Sequence, residues 1–396
     1  MFNSSTSRLA QPAILPDFDR PNGLPVFNTV ADAINAYEGD DAIYVLYPKK
    51  IAEAANTFVE SFPGKTLYAV KANPHPAVLK ILWASGIRAF DVASIREIDL
   101  VLSACPDAEL YLMHPVKSRK TIRHAYENGV RNFAFDCATE LGKILVETND
   151  AQGLHLHLRL ALPTSGSASM PLKGKFGAKY QEALDLLRSA RSVTDKLGLC
   201  FHVGSQCMDP ADYVRALAYA AGLVDDAGVK IDSLDCGGGF PVAYPGMTPP
   251  PMADYFARIQ KGIKICGFDD LEIIGEPGRA LCGEGGSTLT RVELRKGTDL
   301  YLNEGSYGSL FDAANCAWKY PVKLRGSKDA TEDTIGFRFF GPTCDSLDTM
   351  VGPFNLPADI SEGDWIEICH LGAYGQALAT DFNGFQSDTT VAVLNT

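Results

Sequence analysis

Lys71, His202, Glu276 and Arg279 are the side chains of this sequence best suited to chemistry, together with the glycine-rich turns Gly237-Gly238-Gly239 and Gly275-Glu276-Pro277-Gly278. A lysine amine can form a Schiff base with a carbonyl group, most readily when its neighbours lower its pKa. Consecutive glycines let backbone N–H groups approach an anion, and Arg279 adds a positive charge. A carboxylate such as Glu276 can keep a ring nitrogen protonated, and His202 can lie flat against that ring. Each feature alone has a plainer reading: a rim lysine in a salt bridge, two tight turns, a structural histidine. Together they meet the three demands of pyridoxal 5'-phosphate, which are a Schiff-base lysine, a phosphate site and a partner for the ring nitrogen.

Such residues must be brought to one place, and the chain has a rhythm that does so. From about residue 66, short apolar β-rich runs alternate with segments of helical period. The runs fall at 67–70, 89–92, 110–113, 133–135, 155–160, 199–203, 231–234 and 271–274. Helical candidates between them include 76–84, 95–102, 117–128, 180–197 and 211–227. Eight strand–helix units over this length predict an α/β fold of the (β/α)8 barrel type. A doubly wound open sheet is the competing architecture, but it has a glycine turn after its first strand, whereas here Lys71-Ala72-Asn73-Pro74 follows. Barrel active sites sit at the C-terminal ends of the strands. That rim receives Lys71, Asp91, Asp136, Arg159, His202 with Gly204-Ser205, Asp235 with the three glycines, and Glu276. The glycine turns follow strands seven and eight, the loops with which barrels often bind phosphate.

After about residue 284, alternating runs at 288–294, 334–340 and 365–369 separated by Gly and Pro turns predict an all-β domain. The expected division is an N-terminal segment 1–45 that joins one domain or the other, a barrel over 46–283 and a β-domain over 284–396. The strand-like run 41–46 makes the β-domain a candidate home for that segment.

Bulk properties narrow the class. The 396 residues carry a formal net charge of −12, with 46% hydrophobic and 21% charged residues. An acidic chain argues against nucleic acid and anionic membrane surfaces as partners. The ten cysteines form no C-x-x-C pair, so a zinc ribbon or redox motif is not indicated and no metal site is expected. Scattered free thiols fit a reducing cytoplasm. Met1–Arg20 has no basic start with an apolar core, so no signal peptide is expected. No apolar run reaches membrane-spanning length.

Four segments, Tyr68-Ala69-Val70-Lys71-Ala72-Asn73, Phe201-His202-Val203-Gly204-Ser205, Gly237-Gly238-Gly239-Phe240-Pro241 and Gly275-Glu276-Pro277-Gly278-Arg279, resemble the fold-type III pyridoxal-phosphate decarboxylases. The branch of the resemblance is the ornithine, lysine and arginine decarboxylases, and it runs from about residue 40 to the C-terminus. It implies an alanine-racemase-like barrel followed by a β-domain, in a head-to-tail homodimer with shared active sites. It also implies roles. Lys71 would be the Schiff-base lysine, Glu276 the ring-nitrogen partner and His202 the stacking ring. Ser205, the Gly237–Gly239 turn, Gly278, Arg279 and Tyr374 would hold the phosphate, and Asp91 and Arg159 would support the lysine and cofactor. Gly341-Pro342-Thr343-Cys344-Asp345-Ser346-Leu347-Asp348 resembles the segment that enters the partner's site, with Cys344 protonating Cα and Asp345 binding the substrate's distal amine. Tyr307 and Phe382 would line the substrate.

A thiol is a reasonable acid for one proton transfer, and a carboxylate facing a substrate ammonium rejects apolar competitors. Relatives acting on diaminopimelate typically carry Glu where Asp345 stands, which favours a diamine-forming decarboxylase. One position departs from the pattern. The second substrate acid falls on Cys316 in one register, and Asp312, one helical turn earlier, is its candidate substitute. The expected activity is therefore decarboxylation of L-ornithine, giving putrescine for polyamine supply, or of L-lysine, with arginine or a less basic amino acid as alternatives. An amino-acid racemase and a catalytically inactive regulator of a paralogue are the competing classes. The Cys344 segment argues against the racemase, and retention of Lys71, Glu276, Arg279 and Cys344 argues against the regulator.

Overall fold

The computed structural model describes residues 23–150, 152–163, 166–172, 174–325 and 331–395. Residues 1–22, and with them the signal-peptide question, lie outside the described residues. Eight parallel strands close a barrel: Lys65–Ala69, Ala89–Asp91, Glu109–Leu112, Asn132–Phe135, His155–Arg159, Lys196–Cys200, Ser233–Asp235 and Glu272–Gly275. They are the eight expected runs, displaced by at most three residues. Both faces of each strand are buried, so they read as continuous apolar runs rather than alternating ones. Leu67, Ala89, Tyr111, Ala134, Cys200 and Ile274 fill the barrel interior. The alternate residues, among them Tyr68, Phe90, Phe133, Leu156, Leu199 and Leu234, pack outward under the helices.

Helices Pro76–Ala84, Ile95–Ala104, Arg119–Glu127, Ala138–Glu147, Tyr180–Arg191, Ala211–Ala227 and Met252–Ile265 follow the first seven strands. Ser94 and Ser118 cap two of them by accepting a backbone N–H of the first turn. The helix expected over 180–197 stops at Arg191. The Thr194 hydroxyl bonds to the carbonyls of Leu154 and Lys196, which turns the chain into the sixth strand instead. After the eighth strand the helical turn Arg279–Cys282 and the 3-10 turn Gly283–Gly285 follow in place of a full helix. Helix Pro48–Ser61, which precedes the first strand, packs against it and completes the outer ring. Phe58 of that helix meets Phe240 and Phe256 edge-on at 5.2 and 5.0 Å between ring centres.

Ala168–Met170 and Ser205–Cys207 pair as a two-stranded antiparallel sheet, and the other described strands form a nine-stranded mixed sheet. Its long member, Gly286–Lys296, lies between Ile43–Leu46 on one side and Asp299–Leu302 on the other, and also pairs with Trp365–Cys369. Thr390–Val393 pairs in parallel with both Ile43–Leu46 and Val26–Phe27. Strands from both ends of the chain therefore share this sheet. A second core, around Phe337, Phe339, Met350, Phe354, Ile366 and Ile368, lies beneath it. Among the described residues no helix is long and apolar enough to cross a membrane.

Candidate active site

The C-terminal rim of the barrel opens into a cavity of about 610 Å³ lined by Lys71, Asp91, Arg159, His202 and Glu276. Lys71 sits in the 3-10 turn Val70–Ala72, two residues beyond the strand expected to end on it. The strand stops because Ala69 N–H donates to Pro277 O (3.2 Å), tying the first strand to the loop after the eighth. The lysine side chain is surrounded by protein but reaches solvent through the cavity mouth. Burial pulls its pKa down, yet Asp91, Tyr374 and Glu276 outweigh this, and the net shift is upward. The lysine is thus held as an ammonium, the reverse of the lowered pKa that would favour carbonyl attack. Asp91 ends the second strand and accepts Met113 N–H at 3.3 Å. Burial and the nearby Glu276 push its carboxyl well up, against the pull of Lys71.

Glu276 follows the eighth strand immediately and donates its N–H to Gly237 O (2.8 Å). Burial, then Asp235, push its carboxyl well above the ordinary range. Asp235 ends the seventh strand, accepts Gly237 N–H at 2.7 Å, and is pushed up by burial to about 6. Glu276 Oε1 and Asp235 Oδ2 have no hydrogen-bond partner beyond a proton the two carboxyls could share. His202 lies two residues beyond the sixth strand rather than on it, and its Nδ1 accepts Gly204 N–H (3.0 Å). Burial first, then Arg159 and Lys71, hold its pKa far down, so the ring is neutral.

An adjoining cavity of about 350 Å³ shares Lys71, His202 and Glu276 and adds Ser205, Gly238, Gly239, Gly278, Arg279 and Tyr374. The glycines are required by space. A Cβ on Gly238 would stand 2.7 Å from Glu276 O, and one on Gly239, at φ +102°, would stand 2.5 Å from Gly204 O. Gly237, at φ +68°, shapes the turn but does not line this cavity. Arg279 is buried, with Tyr244 OH at 3.1 Å and the rings of Trp318 and Tyr374 at 4.8 and 4.9 Å from its guanidinium carbon. Its Nε has no partner. The Tyr374 turn is pinned to the lysine turn, since Tyr374 N–H donates to Ala72 O (2.8 Å) and Asn73 Nδ2 to Gly372 O (2.8 Å). A buried acid at one end and an arginine facing a glycine cradle at the other fit the ring nitrogen and phosphate of pyridoxal phosphate.

Cys344, Asp345, Tyr307 and Phe382 are brought together elsewhere, on an exposed ledge of the mixed sheet. Tyr307 OH donates to Asp345 Oδ2 (2.5 Å) and the Tyr307 and Phe382 rings lie 4.6 Å apart. Leu347 N–H, then Tyr307, hold the Asp345 carboxyl low, so it is ionised. Cys344 is exposed, and its N–H donates to Asn383 Oδ1 (3.2 Å). Neither Cys344 nor Asp345 lines the cavities that contain Lys71. Asp312, the candidate second substrate acid, lines the Arg279 cavity instead of joining Asp345. Cys316 is exposed at the end of the short helix Phe311–Asn315.

Three residues escaped the sequence reading as site members. Glu97 lines the Lys71 cavity and accepts Ala93 N–H (2.7 Å). Its spacing of three from the capping Ser94 was a usable signal. Asp235 stands two residues before the glycine turn, with Cys236 between, and the sequence marks it only as a rim residue. Asp348 is buried under the ledge, where it accepts Ser306 N–H and Oγ–H (2.7 and 2.9 Å) and Thr343 N–H and Oγ–H (3.1 and 2.8 Å). It fixes the Cys344 segment to the Tyr307 loop, a pairing across 42 residues with no local signature.

Comparison with known proteins agrees with this geometry. Residues 48–283 match the family model of the pyridoxal-dependent decarboxylases, pyridoxal binding domain. The lysine/ornithine decarboxylase of Selenomonas ruminantium is 34% identical over 333 residues, covering 82% of each chain. A crystal structure of lysine decarboxylase from the same organism superposes with a TM-score of 0.80 at 30% identity, covering 92% of this chain and 96% of that one. The Paramecium bursaria Chlorella virus arginine decarboxylase bound to agmatine gives 0.79 at 28% identity, covering 91% and 100%. The chain belongs to the pyridoxal-dependent decarboxylase family and is a carboxy-lyase that uses pyridoxal phosphate.

Proposed function

We propose that this protein decarboxylates a basic L-amino acid, ornithine or lysine before arginine, in a homodimer whose active sites are shared between subunits. The observation that carries the reading is the pairing of Cys344 with the ionised Asp345 on an exposed ledge, apart from a lysine cavity that has no thiol in its lining. A ledge of one subunit laid over the cavity of the other completes the set of groups the reaction needs. The similarity to lysine/ornithine and arginine decarboxylases supports the substrate class.

In this reading Lys71 is the attachment point of the cofactor, and Glu276 holds a proton at the ring nitrogen. Neutral His202 lies against the ring, and Ser205, Gly238, Gly239, Gly278, Arg279 and Tyr374 receive the phosphate. When bound, pyridoxal phosphate supplies an electron sink for the pair left at Cα as carbon dioxide departs. Asp91 and Arg159 set the charge around Lys71. Asp345 receives the distal ammonium of the substrate through a charge-assisted hydrogen bond, and Tyr307 and Phe382 wall its carbon chain. Cys344 Sγ delivers the proton to Cα. A reducing cytoplasm keeps that exposed thiol available.

The test is carbon dioxide release from a panel of L-amino acids containing ornithine, lysine, arginine and diaminopimelate. Ornithine or lysine should lead. Cofactor-loaded protein that turns over none of the basic members would overturn the proposal.

A further inference from the structure

The cavity that contains Arg279 holds an acid that no cofactor role requires. Asp312 is buried with its Oδ2 3.7 Å from Arg279 Nη2, an ion-pair distance too long for a hydrogen bond. Neither Asp312 Oδ2 nor Arg279 Nε has a hydrogen-bond partner. The acid lines the same cavity as Ser205, Gly239 and Gly278. A buried guanidinium needs a counter-charge, and among the described residues Asp312 is the carboxylate within ion-pair distance of it. An incoming phosphate would take the same guanidinium with stronger, shorter hydrogen bonds, and would then stand beside a carboxylate of its own sign.

We propose that Asp312 is the resident counter-ion of Arg279, that the cofactor's phosphate displaces it, and that its charge therefore weakens retention of the cofactor. The inference rests on the phosphate placement proposed above. Burial pushes the Asp312 carboxyl up while Arg279 draws it down, with a net rise. Its place in the chain was read as a substitute for the second substrate acid, but its distance to Arg279 assigns it to the phosphate end.

The test follows release of bound pyridoxal phosphate from the holoenzyme by absorbance. Asp312→Asn should release the cofactor at least about tenfold more slowly than wild type, the low end for removing one like-charge contact at reduced dielectric. Asp312→Ser, which removes the charge without offering an amide to Arg279, should slow release as well. Binding of pyridoxal, which lacks the phosphate, should be equal in all three proteins, a selectivity that a general change in stability would not produce. Equal or faster release from both variants, or the same change with pyridoxal, would overturn the inference. A wild-type protein that binds no cofactor would instead overturn the proposed function.

Discussion

The barrel rim and the ledge of the mixed sheet each gather a set of reactive groups, but under opposite conditions. At the rim, Glu276, Asp235 and Arg279 are buried and the glycine turns leave room for a ligand shaped like the cofactor. On the ledge, Cys344 is exposed and so are the apolar side chains around it: Leu347 is 73% exposed, Phe382 43% and Phe385 46%. A single rim has room for a cofactor, but no thiol lines its two cavities. A single ledge has the thiol and the ionised acid, but nothing to act on. Exposed apolar residues clustered at reactive groups mark a surface that another surface covers. The contrast is the one the proposed function calls for, in which one chain carries two halves of a site, one to bind the cofactor and one to read the substrate.

The largest effect expected concerns the rim alone. Lys71→Ala should abolish turnover and remove the absorbance band of bound cofactor that borohydride bleaches. A persisting bleachable band would move the attachment point elsewhere. The next prediction tests the division itself. Lys71→Ala and Cys344→Ala proteins are each expected to be nearly inactive, but after co-refolding about one quarter of the sites should pair an intact rim with an intact ledge, given random two-fold dimers. Recovery to about that level supports a site shared between subunits. No recovery, from a mixture shown by tags to contain mixed dimers, would place the whole site within one chain.

How much of this could be read in the sequence follows the same line. The barrel strands were legible because burial on both faces writes itself as uninterrupted apolar runs. The rim residues were legible because strand ends in a barrel converge by construction. Lys71 and His202 were assigned to strands that stop two residues short of each. The stops are made by bonds to distant segments, such as Ala69 to Pro277, which leave no local trace. The overrun of the helix at 180–197 has the opposite cause, since a leucine pattern continues across residues that tertiary hydrogen bonds turn into a strand. The surroundings of Arg279 were the least legible part. Tyr244, Asp312 and Trp318 reach it from 35, 33 and 39 residues away in the chain, and only Asp312 drew attention, for a different reason.

Within the ledge, two substitutions should separate chemistry from recognition. Cys344→Ala is expected to lower kcat by about a hundredfold or more while the cofactor band is unchanged, as for loss of one general acid. Asp345→Asn keeps the shape and the bond to Tyr307 but removes the charge. It should raise KM for basic amino acids by about tenfold or more, the scale of one charge-assisted contact, and leave less difference between basic and neutral substrates. A change confined to kcat in Asp345→Asn would remove its role in binding the distal amine.

The effect that touches activity least concerns what lies under the ledge. Glu304 is buried there, accepts the N–H groups of Gly305 (2.9 Å) and Ser309 (3.0 Å), and is pushed up by burial to about 7. The folded protein therefore keeps a proton on this acid that the unfolded chain has released above its ordinary pKa. Between about pH 4.5 and 7 the native state binds more protons than the unfolded one, so this group makes stability fall as pH rises through that window. Glutamine at 304 would still accept both N–H groups without a charge to bury. Glu304→Gln should thus gain on wild type by up to about 3 kcal/mol from the acid to the neutral end of the window, read as the difference in denaturant midpoint. Asp345, half-buried on the same ledge and held low rather than high, should give no such slope when changed to Asn. Parallel stability–pH curves for wild type and Glu304→Gln would show that the acid is ionised in the folded protein. The ledge would then rest on a buried charge, and its difference from the rim, where Asp235 rises to about 6, would be one of exposure alone.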